Sequence, residues 1–190
     1  YGLALPAGWS LLGNSLNQAL SVASLYADPN TVTSVWKWDT GTLGWQFYTP
    51  LMNAAALQAY ATAKGYGVLS TINPGEGYWL NANVPLAIGA QSGASFILTS
   101  SSVAKGWNLA ATGNDVTPAQ FNTNLKASPP GTGATTIWAW DNPSSSWYFY
   151  APSKQADGTL STYTQSKGYL DFTGAGKTLG PGVGFWVNRP

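Results

Sequence analysis

Val35-Trp36-Lys37-Trp38-Asp39, followed by Trp45-Gln46-Phe47-Tyr48-Thr49-Pro50, is the stretch whose reading decides this fold. Two runs rich in aromatic and β-branched residues flank Thr40-Gly41-Thr42-Leu43-Gly44, a segment with turn chemistry, so the stretch predicts a β-hairpin ended by Pro50. Side chains alternate along a strand, which sets Trp36 and Trp38 on one face and Val35, Lys37 and Asp39 on the other. If Trp38 lies opposite Trp45, then Trp36 lies opposite Phe47, and four rings form a ladder on one face.

The chain carries this pattern twice. Ile137-Trp138-Ala139-Trp140-Asp141 and Trp147-Tyr148-Phe149-Tyr150-Ala151-Pro152 match the first hairpin at an offset of 102 residues (Trp36 to Trp138). Outward from the hairpins, Gly8-Trp9 matches Gly106-Trp107, Lys64-Gly65-Tyr66 matches Lys167-Gly168-Tyr169, and Pro74-Gly75-Glu76-Gly77-Tyr78-Trp79-Leu80-Asn81 matches Pro181-Gly182-Val183-Gly184-Phe185-Trp186-Val187-Asn188. All ten tryptophans fall on matched positions. Offsets change between blocks and stay constant within them, as expected where blocks are strands and the intervals are loops. A unit of about 85 residues is small for an independent core, so two fused copies sharing an interface are expected. The boundaries read as a first Trp-rich unit over 1–83, a linker with a strand over 84–102, and a second unit over 103–190.

Within each unit the pattern predicts strand, helix, hairpin, helix, hairpin. Gly8 to Gly13 reads as a strand, and Leu16, Leu20 and Ala23 read as a helix behind Asn14 or Ser15. Thr117-Pro118 opens the corresponding helix of the second unit. Asn53 to Lys64, alanine-rich with Gly65 beyond it, is the strongest helix, and Thr159 to Lys167 is its poorer counterpart. Val68 to Ile72 and Tyr78 to Ala82, joined by a Pro-Gly-Glu-Gly turn, read as a closing hairpin, and Ala94 to Leu98 as a short strand. The fold class is β-dominated α+β: two sheet or sandwich units, internally duplicated and pseudo-symmetric, with short helices.

Charged residues are 8% of the chain and the net charge is +1, with basic residues scattered singly, so no electrostatic footprint for nucleic acid is present. No apolar run is long enough to span a bilayer, and no membrane insertion is expected. The chain has no Cys and no His, which removes disulfides, thiolate nucleophiles, Cys or His metal sites and a Ser-His-Asp triad. No cofactor and no metal are expected. Seven carboxylates remain; a glycosidase needs two across one bond, and Asp39 and Asp141 meet only if the two turns face each other. Glu76 reads as a solvated turn residue, and the chain as non-catalytic. The charge-poor, Ser/Thr/Asn/Gly-rich composition fits a secreted or cell-surface bacterial protein. Tyr1 opens directly into a strand-like stretch with no signal-peptide pattern, which fits a mature product or a piece of a larger exported protein with neighbouring domains.

The inner ladder pairs, Trp36 with Phe47 and Trp138 with Phe149, are expected in the core, where truncating either Trp costs about 3 to 5 kcal/mol. Trp38, Trp45, Trp140 and Trp147, beside the turns, divide between core and a surface groove. An indole face beside a carboxylate or amide suits a pyranose, so the candidate binding residues are these four tryptophans with Asp39 and Asp141, together with Trp79, Asn81, Trp186 and Asn188. One such site in each half would gain avidity on a repetitive polysaccharide or cell-surface glycan. The other two readings are a structural or adhesive subunit of an extracellular assembly and a glycoside-active enzyme.

The pattern Gly-Trp-x-Leu, Trp-x-Trp-Asp, Trp-x-Phe-Tyr-x-Pro and Pro-Gly-x-Gly-(Tyr/Phe)-Trp resembles tandem Trp-rich modules of exported bacterial surface proteins and covers both halves. In its aromatic platforms the chain is also similar, by class, to carbohydrate-binding modules, which implies a glycan partner.

Overall fold

The computed structural model describes residues 1–127 and 130–190. Strands dominate, and the few helices are short. In chain order the first half contains β1 (Leu3–Leu5), β2 (Gly8–Gly13), β3 (Leu20–Ser21), α1 (Val22–Leu25), β4 (Val32–Asp39), β5 (Gly44–Tyr48), α2 (Ala54–Lys64), β6 (Gly67–Val68), β7 (Thr71–Ile72), β8 (Gly77–Ala82) and β9 (Leu86–Ile88). The second half contains β10 (Gly106–Ala110), α3 (Pro118–Ala127), β11 (Thr136–Asp141), β12 (Ser146–Tyr150), α4 (Pro152–Ala156), α5 (Leu160–Lys167), β13 (Leu170–Asp171), α6 (Phe172–Ala175) and β14 (Phe185–Arg189).

Two similar five-stranded sheets result, ordered β2-β8-β4-β5-β6 and β10-β14-β11-β12-β13. The hairpin register is the expected one: Trp38 lies opposite Trp45 and Trp36 opposite Phe47, with Trp140 opposite Trp147 and Trp138 opposite Phe149. The helix over Ala54–Lys64 is also as read, since Asn53 Oδ1 accepts the Ala56 N–H and Gly65 takes φ 74°. Thr117 and Gln120 form a reciprocal capping box at the start of α3.

Three local expectations are corrected. Residues 16 to 23 form no continuous helix: Leu16 bridges Ser95, Leu20 joins β3, and α1 begins at Val22. The buried Asn14 side chain accepts the Leu16 N–H and donates to the carbonyls of Gln18 and Ile72, which ties the backbone into a turn that competes with helix. Ala94–Leu98 forms a bridge at Ser95, not a strand. The closing hairpin is absent, because β8 pairs with β2 and β4 while β7 pairs with β3. Tyr78 and Leu80 on one face of β8 and Trp79 on the other give it a surface to cover on both sides, which suits a central strand.

The core lies on the face away from the tryptophans. Behind the first sheet, Val32, Val35, Tyr78 and Leu80 pack against Leu20, Val22 and Ile72 from β3, α1 and β7, and against Tyr26 just past α1. Behind the second, Ile137, Phe185 and Val187 pack against Phe121, Leu125 and Phe172. No tryptophan is fully buried, and Trp36 and Trp138 are only partly buried, so these two rings are not among the buried core residues. Phe47 and Phe149 are buried, because Tyr60 of α2 and Tyr163 of α5 cover them at 5.4 and 5.1 Å between ring centres. Among the described residues no helix is long and apolar enough to cross a membrane.

The halves meet through backbone as well as rings. Gly13 N–H donates to Gly182 O at 3.0 Å, and Ala111 N–H to Gly75 O at 2.8 Å. The two glycines of each Pro-Gly-x-Gly serve different ends. Gly75 and Gly182 hold φ of 78° and 84°. Gly77 and Gly184 instead admit the other half's strand, since a Cβ on Gly77 would lie 2.8 Å from Ala110 O, and one on Gly184 would collide with Leu12.

Glu76 is not a free turn residue. Its Oε2 accepts from the buried Lys37 ammonium at 2.7 Å and from the Asn73 N–H at 2.6 Å. In the second half the matching positions are Ala139 and Val183, so one half holds an ion pair where the other holds an apolar pair. Glu76→Val alone, which strands the Lys37 charge with Thr71 O at 3.4 Å, should cost about 2 to 4 kcal/mol. Adding Lys37→Ala should return stability to within about 1 kcal/mol of the parent, as read by urea unfolding of the two single variants and the double.

Tyr26 and Tyr78 share a buried hydrogen bond of 2.6 Å between hydroxyl oxygens, and burial pushes both hydroxyls above the usual tyrosine range. The folded state thus prefers the neutral form. Its stability is complete below pH about 10, the unfolded tyrosine value, and is lost as pH rises beyond it. Circular dichroism and tyrosinate absorbance should show these two groups ionising together with unfolding, not before it.

Candidate functional site

With each core on the β-branched face, the opposite faces of the sheets present the tryptophans. These faces meet by interlocking. Trp79 of β8 stands edge-on between Trp140 and Trp147 of the second half, at 5.8 and 5.7 Å between ring centres. Trp186 of β14 stands correspondingly at 6.3 and 6.0 Å from Trp38 and Trp45. Trp9 and Trp107 close the two outer ends, each edge-on to its neighbour across the strands, and are 43% and 44% exposed.

Two hollows of about 480 Å³ lie among these rings. The first takes Trp38 and Trp45 from the first half, with Trp107, Trp138, Trp147, Tyr169 and Trp186 from the second. The second takes Trp140 and Trp147, with Trp9, Trp36, Trp45, Tyr66 and Trp79. Every wall residue of one has its sequence match in the other. Each hollow draws on both halves, so neither is built from one half alone.

The walls carry no charge, and their polar groups are the indole N–H donors and the hydroxyls of Tyr66 and Tyr169. Trp36 Nε1 donates to Ser34 and Trp138 Nε1 to Thr136, at 3.0 and 3.1 Å. Trp140 Nε1 donates to the carbonyl of Trp9 at 3.0 Å. The matching Trp107 carbonyl accepts from Thr40 Oγ1, and Trp38 Nε1 is enclosed without a partner among the described residues. The N–H groups of Trp45, Trp79, Trp147 and Trp186 bond to no other described group and are not enclosed, so they remain available to a ligand.

The six tryptophans among the candidate residues thus converge on the hollows, whereas the polar candidates lie outside them. Asp39 sits on the opposite strand face, where Oδ1 accepts from the N–H groups of Gly41 and Thr42 and Oδ2 from Gln46. Asp141 Oδ2 accepts from Ser144 N and Oγ. Both carboxylates organise their own turns. The turns rest on different strands, Thr40 on Trp107 and Asn142 on Ser10. Asn81 and Asn188 share the ring face, directly opposite Trp9 and Trp107, but do not line the hollows. Among the described residues no group of His, Cys, Asp and Glu is placed to hold a metal.

Trp9, Trp107, Trp36, Trp138, Tyr66 and Tyr169 belong to the site and were not among the candidates. The signal was present, since Gly-Trp and Lys-Gly-Tyr are matched blocks that a purely structural role for the hairpins left unexplained. No family model, curated protein or solved structure matches the chain.

Because Trp36 is partly buried and held by Phe47, Trp45 and Tyr66, Trp36→Ala should cost about 1 to 3 kcal/mol, less than truncation of a fully buried Trp. Leu80→Ala, on the buried face, should cost about 2 to 5 kcal/mol. Thermal or urea denaturation of the two variants orders them.

Proposed function

We propose that this protein is a non-catalytic binding module for a polysaccharide, held by aromatic contact in the paired hollows. The observation that carries the reading is the uncharged wall of partly exposed indole rings with free N–H donors. The C–H face of a pyranose packs on an indole, and its hydroxyls accept from the indole N–H groups. The carboxylates of Asp39, Asp141 and Glu76 are engaged by protein donors outside the hollows, which favours binding over glycoside cleavage. The two halves are read as copies of one Trp-rich module of the exported bacterial kind, and a secreted or cell-surface location follows from that reading.

A structural or adhesive role is the second reading, favoured by the way Trp79 and Trp186 insert among the opposing rings and hold the sheets together.

Titration calorimetry and intrinsic fluorescence with neutral glucan, mannan, xylan and chitin oligomers test the proposal. Binding should shift the tryptophan emission and change little with salt, because no charge lines the walls. Trp45→Ala or Trp147→Ala should weaken it by about 1 to 3 kcal/mol, the scale of uncovering one aromatic face. An emission spectrum and heat unchanged by every oligomer would leave the structural reading in place.

A further inference from the structure

This inference rests on the binding reading and concerns how a ligand chain lies on the protein. Trp45 and Trp147 each wall both hollows, so the two hollows share these rings as common walls. Matched residues exchange between the hollows: Trp38 for Trp140, Trp107 for Trp9, Trp186 for Trp79. The available N–H donors obey the same exchange, Trp45 with Trp147 and Trp79 with Trp186. An exchange of this kind reverses the direction in which a linear ligand is read, because whatever one hollow presents towards a chain's reducing end, the other presents towards its non-reducing end.

We propose that the two hollows form one continuous cleft that takes the interior of a single neutral polysaccharide chain and accepts it in either direction. Flat ring contacts suit this, since both faces and both directions of an uncharged glycan offer C–H surface to an indole. No charged group in the wall distinguishes a chain end. Short oligomers occupy the hollows separately, and longer ones bridge them, which converts the second contact into an intramolecular one.

Calorimetry with a graded series of one neutral oligosaccharide, from disaccharide to decasaccharide, reads this on the unmodified protein. Stoichiometry should fall from two ligands to one per protein as length increases, and affinity should rise at least about tenfold at the same length. Trp45→Ala and Trp147→Ala should each abolish that rise, and Trp45→Phe, which keeps a ring, should retain most of it. A bridging oligomer spin-labelled at its reducing end should broaden the indole N–H signals of both Trp9 and Trp107. Two ligands per protein with equal affinity at every length would overturn the single cleft, and broadening at one end would overturn the lack of direction. Absence of binding at every length would overturn the polysaccharide reading itself and this inference with it.

Discussion

Edge-on packing of one indole against another is the interaction on which the rest of the molecule depends. Trp79 meets Trp140 and Trp147 at 66° and 86° between ring planes, and Trp186 meets Trp38 and Trp45 at 58° and 83°. The ring quadrupole favours such geometry over face-to-face stacking, at about 0.5 to 1.5 kcal/mol per pair beyond burial. It also has a geometric result. A ring whose edge is engaged leaves flat surface uncovered, so the contacts that bind the two sheets create the hollows between them.

This division of labour depends on the other face of each sheet. Val32, Val35, Ile137 and Val187 are stiff β-branched side chains that fill the two cores behind the sheets, covered by short helices and small strands. Stability is carried there. The tryptophan face is thereby not required to pack as a closed core, and partly exposed aromatic surface remains there.

The hairpin register was legible from Trp36, Trp38, Trp45 and Phe47 because alternation along a strand is a local rule, and Asn53, Gly65 and the Thr117-Pro118 pair announced their helix ends for the same reason. Alternation does not say which face is covered. With Val35 and Lys37 on one side of β4 and Trp36 and Trp38 on the other, ring size alone favours the tryptophan face as core, and elements distant in sequence decide otherwise. The central place of β8 and the composite walls of the hollows depend likewise on contacts between residues some 60 to 130 positions apart, such as Trp140 with Trp9. Lys37 against Ala139 and Glu76 against Val183 were both visible as differences between the halves. Their pairing is a fact of three dimensions.

That paired difference also makes the two sheets unequal hosts for their inner strands. β8 and β14 have nearly the same pattern and fill the same central place in their sheets, so a nascent chain has two strands to choose from for each gap. If β14 enters the first sheet, Val183 replaces Glu76 and the buried Lys37 ammonium loses its carboxylate; if β8 enters the second, Glu76 meets Ala139. The first exchange strands the buried Lys37 charge, which costs about 3 to 5 kcal/mol against the wrong partner, whereas Glu76, a third exposed, is left to solvent in the second. A single ion pair, present in one half and absent from the other, thus distinguishes two strands of nearly the same pattern.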